Sequence, residues 1–168
     1  MKNWFLILSL AFSSLAACNK AKNCESTTPT IVSTATETAY LQNYLTTNNI
    51  VAIQKNGMFY TLTQGGGTSP NACGRLAVKY KGQIINATTL GGTFDETVGS
   101  ATATFNLNEV ISGWQIALPL AKAGAVVALY IPPSLAYGGR DIPARQGYSG
   151  IPANSYLKFD IELIEVQN

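Results

Sequence analysis

Histidine is absent from all 168 residues, which removes the side chain that most often acts as a general base near neutral pH. A hydrolase built on serine or cysteine would therefore lack its usual activator. Cysteine is also sparse, at three residues. With no histidine to complete a ligand set, a structural zinc site is disfavoured, and no metal or cofactor is expected. Charged residues make up only 12% of the chain, with 11 Lys and Arg set against 9 Asp and Glu. The basic residues are scattered rather than gathered into the positive stripe that a nucleic-acid surface needs, so no nucleic-acid partner is expected. No apolar run reaches the roughly 20 residues that a membrane-spanning helix requires.

The first seventeen residues read as a secretion signal. Lys2 gives a positive start, Trp4 to Phe12 form a short apolar run, and Leu15-Ala16-Ala17 put small residues ahead of Cys18. Leu15-Ala-Ala-Cys18 resembles a bacterial lipobox, in which cleavage leaves the cysteine as an acylated N-terminus. Each chain of a palmitate-type anchor would contribute about 0.8 kcal/mol per buried CH₂. An ordinary secreted chain with an incidental cysteine is the alternative. Asn19 after the cysteine favours the outer membrane of a Gram-negative cell, facing the periplasm. Cys24 and Cys73 are then the remaining thiols. Both a Cys24–Cys73 disulfide, natural in an oxidising compartment, and two unpaired cysteines are compatible with the sequence.

Residues 18–36, rich in Thr, Ser, Lys and Asn, read as a tether. Residues 37–73 follow as a leading unit. Tyr40, Leu41 and Tyr44 recur at helical spacing over Glu37 to Leu45. Ile50 to Gln54 and Met58 to Leu62 flank the turn Lys55-Asn-Gly57, which signals a hairpin.

Residues 74–168 carry the main domain. Leu76, Val78 and Tyr80 alternate with Ala77, Lys79 and Lys81, the period of a strand. A further strand is expected over Ala101 to Leu107. Asn108 is expected to cap a helix from Glu109 to about Leu118, with Ile111, Trp114 and Leu118 on its buried face. Val126 to Ile131 reads as a buried strand ended by Pro132-Pro133. Ser134 to Pro152, with four glycines and two prolines, reads as a long loop. Loops beyond about 12 to 15 residues in a compact domain are usually functional. Alternation from Leu157 to Leu163 supplies the closing strand. The expected class is α+β, a curved antiparallel half-barrel sheet wrapped around a short central helix.

Val110-Ile-Ser-Gly-Trp114, Leu135-Ala-Tyr-Gly-Gly139 and Gly150-Ile-Pro-Ala-Asn-Ser155 bring one large aromatic and several aliphatic groups to a small dry pocket. Such a pocket can bind and distort a substrate but has little with which to attack it. Prolyl isomerisation needs nothing more.

The motifs Val78-Lys-Tyr-Lys-Gly82, Gly92-Thr-Phe-Asp95, Phe105-Asn-Leu-Asn-Glu-Val-Ile-Ser-Gly-Trp114, Ala136-Tyr-Gly138 and Gly150 to Leu163 resemble the FK506-binding-protein type of peptidyl-prolyl cis-trans isomerase, in its bacterial lipoprotein form. The resemblance implies that Trp114 is a pocket floor with Tyr80, Phe94 and Phe159 as aromatic walls and Val110, Ile111 and Ile151 as aliphatic lining. Tyr137 would offer its hydroxyl to a substrate carbonyl, and the Ile111 N–H would hold a second one. Asp95 would accept from Tyr80 and face the carbonyl of the turning bond. Taken singly, Trp114, Tyr80, Phe94, Phe159 and Ile151 each also read as core packing, Asp95 as a turn cap and Tyr137 as a loop aromatic.

The implied partners are proline-containing unfolded or exported polypeptides and macrolide inhibitors. The sequence also departs from the family's small members. Asn86 to Gly92 replaces a tight turn, the arginine that often pairs with the aspartate is missing after Asp95, and Ala103 replaces an aromatic. A looser Tyr80–Asp95 arrangement is expected from the missing arginine. A chaperone-like binding lipoprotein without isomerase activity and a purely structural surface lipoprotein are the competing readings.

Overall fold

The computed structural model describes residues 27–168. Cys18, Cys24 and the expected signal therefore lie outside the described residues, as do residues 18–26 of the expected tether. Cys73 is disulfide-bonded, and Cys24, its expected partner, falls in the undescribed segment.

Helix α1 spans Ala35–Thr47, two residues longer at each end than its apolar spacing suggests. Its start is set by a capping box. The Thr34 hydroxyl accepts the Glu37 N–H at 3.2 Å while a Glu37 oxygen accepts the Thr34 N–H at 3.0 Å, so two otherwise orphaned donors are satisfied. The cap, not the first apolar position, thus sets where the helix begins.

Seven strands form one antiparallel sheet: β1 Ile53–Lys55, β2 Met58–Thr63, β3 Arg75–Asn86, β4 Thr89–Glu96, β5 Ala103–Asn106, β6 Val126–Ile131 and β7 Tyr156–Gln167. The order is β1-β2-β6-β7-β3-β4, with β5 also on β3. The sheet does not close into a barrel. Its axis is the long β3–β7 pair, in register from Arg75↔Gln167 to Ile85↔Tyr156 with one bulge at Ala77/Val78.

β3 presents a single outer edge to two partners. β5 covers Arg75 to Val78 and β4 covers Lys81 to Asn86. Between them Thr97 fills in: its hydroxyl accepts the Tyr80 N–H at 3.0 Å and its N–H donates to the Tyr80 carbonyl at 3.0 Å. The sheet is thus parted beside Tyr80 without leaving the backbone unsatisfied.

Three expectations are corrected. Asn86 to Gly92 is not an open loop, because β3 runs to Asn86 and β4 begins at Thr89. The two-residue turn between them puts Ala87 at φ +39°, where its N–H donates to the Tyr40 hydroxyl. The expected helix from Glu109 to Leu118 is broken into a 3-10 turn Leu107–Glu109, an extended Val110-Ile111 pair, the six-residue helix α2 Ser112–Ala117 and a second 3-10 turn Leu118–Leu120. Val110 and Ile111 have ψ 173° and 150°, the extended conformation that β-branched residues accept readily, so Ile111 rather than Asn108 is the N-cap. Finally, the 134–152 loop has internal structure, with bridges Ile142↔Ile151 and Arg145↔Tyr148. Gly150 is required there: φ is +78°, and a Cβ would lie 2.8 Å from the Ala144 nitrogen.

Alternation along the strands feeds two clusters. Val78, Leu129, Ile131, Leu157, Phe159 and Ile161 face α2, where Trp114 and Ile116 pack. On the opposite side Phe59, Ile85 and Tyr130 meet Leu41, Tyr44 and Leu45 of α1, and Tyr40 stacks on Tyr156 at 3.9 Å. The sheet is therefore covered on both faces over β2, β6 and the adjoining end of β7.

Leu41 is fully buried in the second cluster. Leu41→Ala is expected to lower the unfolding free energy by about 2–5 kcal/mol in urea denaturation. A loss under about 0.5 kcal/mol, the range of surface substitutions, would mean that α1 is not docked in solution.

Candidate active site

A cavity of about 240 Å³ opens where the β3 edge parts. Trp114, delivered by α2 and 4% exposed, sits at its base. Three rings meet the indole edge-on: Phe159 at 5.3 Å and 87°, Phe105 at 5.6 Å and 84°, and Tyr80 at 5.8 Å and 82°. Phe94 stands perpendicular to Phe159 at 5.6 Å. Edge-to-face contacts suit aromatic quadrupoles, and rings held at right angles enclose a concave space that a parallel stack would fill. Val110 and Ile111 add the aliphatic wall. As the N-cap residue of α2, Ile111 has an N–H with no intrahelical acceptor.

Gly82 allows the walls to meet. Both the Phe94 and Phe159 rings cross over its Cα, and a Cβ there would fall 2.5 Å from Phe94 Cζ and 2.9 Å from Phe159 Cε1. Because Gly82 is the register partner of Asp95, the same position fixes the end of β4 that carries the carboxylate.

The polar lining consists of the Tyr80, Tyr137 and Tyr148 hydroxyls and the Asp95 and Glu109 carboxylates. The Tyr80 hydroxyl donates to Asp95 Oδ2, so the missing arginine does not separate this pair. Asp95 and Tyr137 both line the cavity. Burial, followed by the hydrogen bond to Asp95 and its charge, pushes the Tyr80 phenol well above its ordinary range. Burial and then the Asp95 charge also raise Tyr137. These phenols stay protonated donors across the neutral range. Two carboxylates, Asp95 and Glu109, with hydroxyl donors and an aromatic floor can bind and orient an amide, and the cavity lining contains no serine, cysteine or lysine. The Trp114 indole N–H is buried with no acceptor among the described residues.

Eight of the nine expected catalytic and substrate-binding residues line this cavity: Tyr80, Phe94, Asp95, Val110, Ile111, Trp114, Tyr137 and Phe159. Ile151 does not. It is 1% exposed in the core, its backbone bridged to Ile142 with both N–H···O distances at 2.9 Å. Three lining residues were not anticipated as site residues: Phe105, Glu109 and Tyr148. Phe105 was legible through its alternation on β5. Tyr148 reaches the cavity because the Ser149 N–H donates to the Phe94 carbonyl at 3.1 Å, seating the long loop on β4 and placing the Tyr148 ring 6.0 Å from Phe94. Its only sequence signal was a lone aromatic between Gly147 and Gly150.

A half-open antiparallel sheet around a short helix, with a tryptophan-floored cleft at a parted strand edge, defines a class of small α+β domain. Within that class, the chain belongs to the FKBP-type peptidyl-prolyl cis-trans isomerase family, whose sequence profile matches residues 66–164. It is 38% identical over 113 residues to the peptidyl-prolyl cis-trans isomerase Mip of Coxiella burnetii, covering 67% of this chain and 46% of that protein. It is 36% identical over 119 residues to the isomerase FkpA of Escherichia coli K12, covering 70% and 40%. The chain thus spans less than half the length of these curated relatives. A crystal structure of a peptidyl-prolyl cis-trans isomerase from Pseudomonas syringae superimposes with TM-score 0.61 at 31% identity, covering 80% of this chain and 95% of that one. For E. coli FkpA the TM-score is 0.58 at 30% identity, covering 78% and 62%.

The raised phenols couple stability to alkaline pH. Tyr148 is pushed up to about 12 by burial, then by Tyr137 and Asp95, and Tyr130 also to about 12 by burial, then by Tyr44 and Asp160, whereas unfolded tyrosines ionise near 10. The unfolded chain therefore loses its protons first, and the stabilisation is complete below pH ~10 and lost as pH rises toward ~12. Denaturation midpoints should fall across that window, and Tyr148→Phe should flatten the fall. A slope identical in the variant would contradict the assignment.

Proposed function

We propose that this protein is a peptidyl-prolyl cis-trans isomerase that turns X-Pro bonds in unfolded or exported polypeptides by binding the twisted amide non-covalently. The observation that carries this reading is the open Trp114-floored cavity with Asp95 and Tyr137 in its lining. An X-Pro amide is held planar by resonance, behind a barrier of ~18–20 kcal/mol. Rotation breaks conjugation and reduces charge separation in the amide. A cavity lined mainly by rings solvates the polarised planar form poorly and the twisted form relatively well, so binding is stronger where the barrier lies.

In this mechanism the proline ring rests on Trp114 between Phe159 and Tyr80. Tyr137 donates to a carbonyl of the flanking chain, and the Ile111 N–H takes another. Asp95, oriented by the Tyr80 hydroxyl, faces the carbonyl of the turning bond. No proton moves and no covalent intermediate forms. Macrolide inhibitors would compete for the same floor.

The purified chain should accelerate cis-to-trans exchange of a short X-Pro peptide, which otherwise takes tens to hundreds of seconds. Tyr137→Phe and Asp95→Ala should each lower kcat/KM by about threefold to tenfold, the worth of one hydrogen bond, with unchanged far-ultraviolet circular dichroism. Peptide binding detected through Trp114 fluorescence without any acceleration would instead assign a chaperone-like binding role.

We also propose that Cys18 carries a lipid anchor that holds the domain at a membrane, in a Gram-negative cell the periplasmic side of the outer membrane. Support comes from Lys2, the Trp4–Phe12 run and Leu15-Ala-Ala-Cys18. Labelled palmitate should enter the expressed protein and fail to enter Cys18→Ser. Equal labelling of the two would remove the anchor.

A further inference from the structure

The family match begins at residue 66, so α1 and the β1–β2 hairpin stand ahead of it. Leu41, Tyr44 and Leu45 account for how α1 docks. Glu37, in its first turn, makes contacts that docking does not require. A capping box needs the glutamate only to reach back to the N-cap backbone, which Glu37 Oε2 does at Thr34. Its carboxylate also leaves the helix. Oε1 accepts the Ser134 N–H at 2.9 Å, and Oε2 accepts the Ser134 hydroxyl at 2.9 Å.

Ser134 opens the turn that carries Tyr137. Pro132 and Pro133 end β6 and have no N–H to give, so Ser134 is the first donor after the strand. The turn then folds on the proline carbonyls: Leu135 N–H to Pro132 at 3.1 Å, and Ala136 and Gly138 N–H to Pro133 at 3.0 and 2.9 Å. The Gly138 carbonyl accepts the Asn154 N–H at 2.8 Å, which holds the far end. Glu37 holds the near end. Hydrogen bonds to a carboxylate are among the stronger kind. Burial tends to raise the Glu37 carboxyl, but the bonds from Thr34 and Ser134 outweigh it and keep the group below its ordinary value, ionised at neutral pH.

We propose that Glu37 is a positioning residue for the site: through Ser134 it sets the 133–138 turn and with it the Tyr137 hydroxyl. A helix outside the family segment thereby governs how the cavity engages its peptide. This rests on the reading that Tyr137 contacts substrate.

Three variants test it: two remove different contacts and one retains the hydroxyl. Ser134→Ala deletes the hydroxyl bond without touching the helix cap and should lower kcat/KM by about threefold to tenfold, chiefly through KM. Ser134→Thr keeps the hydroxyl and should restore it. Thr34→Ala weakens the cap but leaves the grip on Ser134, so it should lower Tm while kcat/KM stays within about twofold. In a Tyr137→Phe background, Ser134→Ala should cost little more, as expected for coupled positions. Unchanged kcat/KM in Ser134→Ala, or an undiminished effect in the Tyr137→Phe background, overturns the proposal. Should the wild-type protein not isomerise proline peptides, the functional reading fails separately. The positioning is then read from amide exchange at Gly138: faster exchange in Ser134→Ala supports it, and unchanged exchange overturns it.

Discussion

One strand edge shared between two partners sets the rest of this structure. β4 and β5 both pair with β3, yet neither reaches Lys79 or Tyr80. A continuous partner along that edge would have sealed the sheet and placed its own side chains where the cavity now lies. Thr97 satisfies Tyr80's backbone in the interval, so parting the sheet leaves the Tyr80 N–H and carbonyl paired. Tyr80, the end of β4 with Phe94 and Asp95, and Phe105 of β5 are gathered around it as a direct result.

The opening becomes a pocket because of what α2 pushes into it from the other side. Gly113 lets the helix approach β6, where a Cβ would lie 2.8 Å from Ile131, and that approach seats Trp114 among rings standing perpendicular to it. The wall contacts are mutual, with Phe94 on Phe159 and Phe159 on Trp114, so the shape is set by packing rather than by any one residue. The polar groups are few and of fixed kind. Phenols that burial keeps protonated supply donors, while Asp95 supplies an acceptor already oriented by Tyr80. This arrangement suits a reaction whose barrier is conformational.

The leading segment adds a second layer to a domain whose family portion ends the sheet at β6. The β1–β2 hairpin extends that edge, and α1 buries the outer face through Leu41, Tyr44 and Leu45. Its polar contacts reach both site-bearing parts of the domain. Tyr40 and Asn48 bond the β3–β4 turn at Ala87 and Thr88, and Glu37 bonds Ser134. Stability and site geometry are thus joined through one helix.

Local pattern was enough for much of this. The absence of histidine bounded the chemistry, period-2 alternation gave β3 and β7, and the family resemblance of the motifs pointed to most of the cavity residues, Tyr80, Asp95, Trp114 and Tyr137 among them. The sequence by itself determined which residue types could be buried together, because burial preference and strand or helix period are properties of short segments. Where it misled, the chain departed from the regular spacing. Val110 and Ile111 left the helix to line a wall, Ile151 turned into the core through its bridge to Ile142, and Tyr148 was carried over the cavity by one hydrogen bond to Phe94. Only the tertiary structure decided where Ile151 and Tyr148 sit, along with the grip of Glu37 on Ser134, 97 residues away. Each depends on separate backbone segments meeting, which the spacing of near neighbours does not encode.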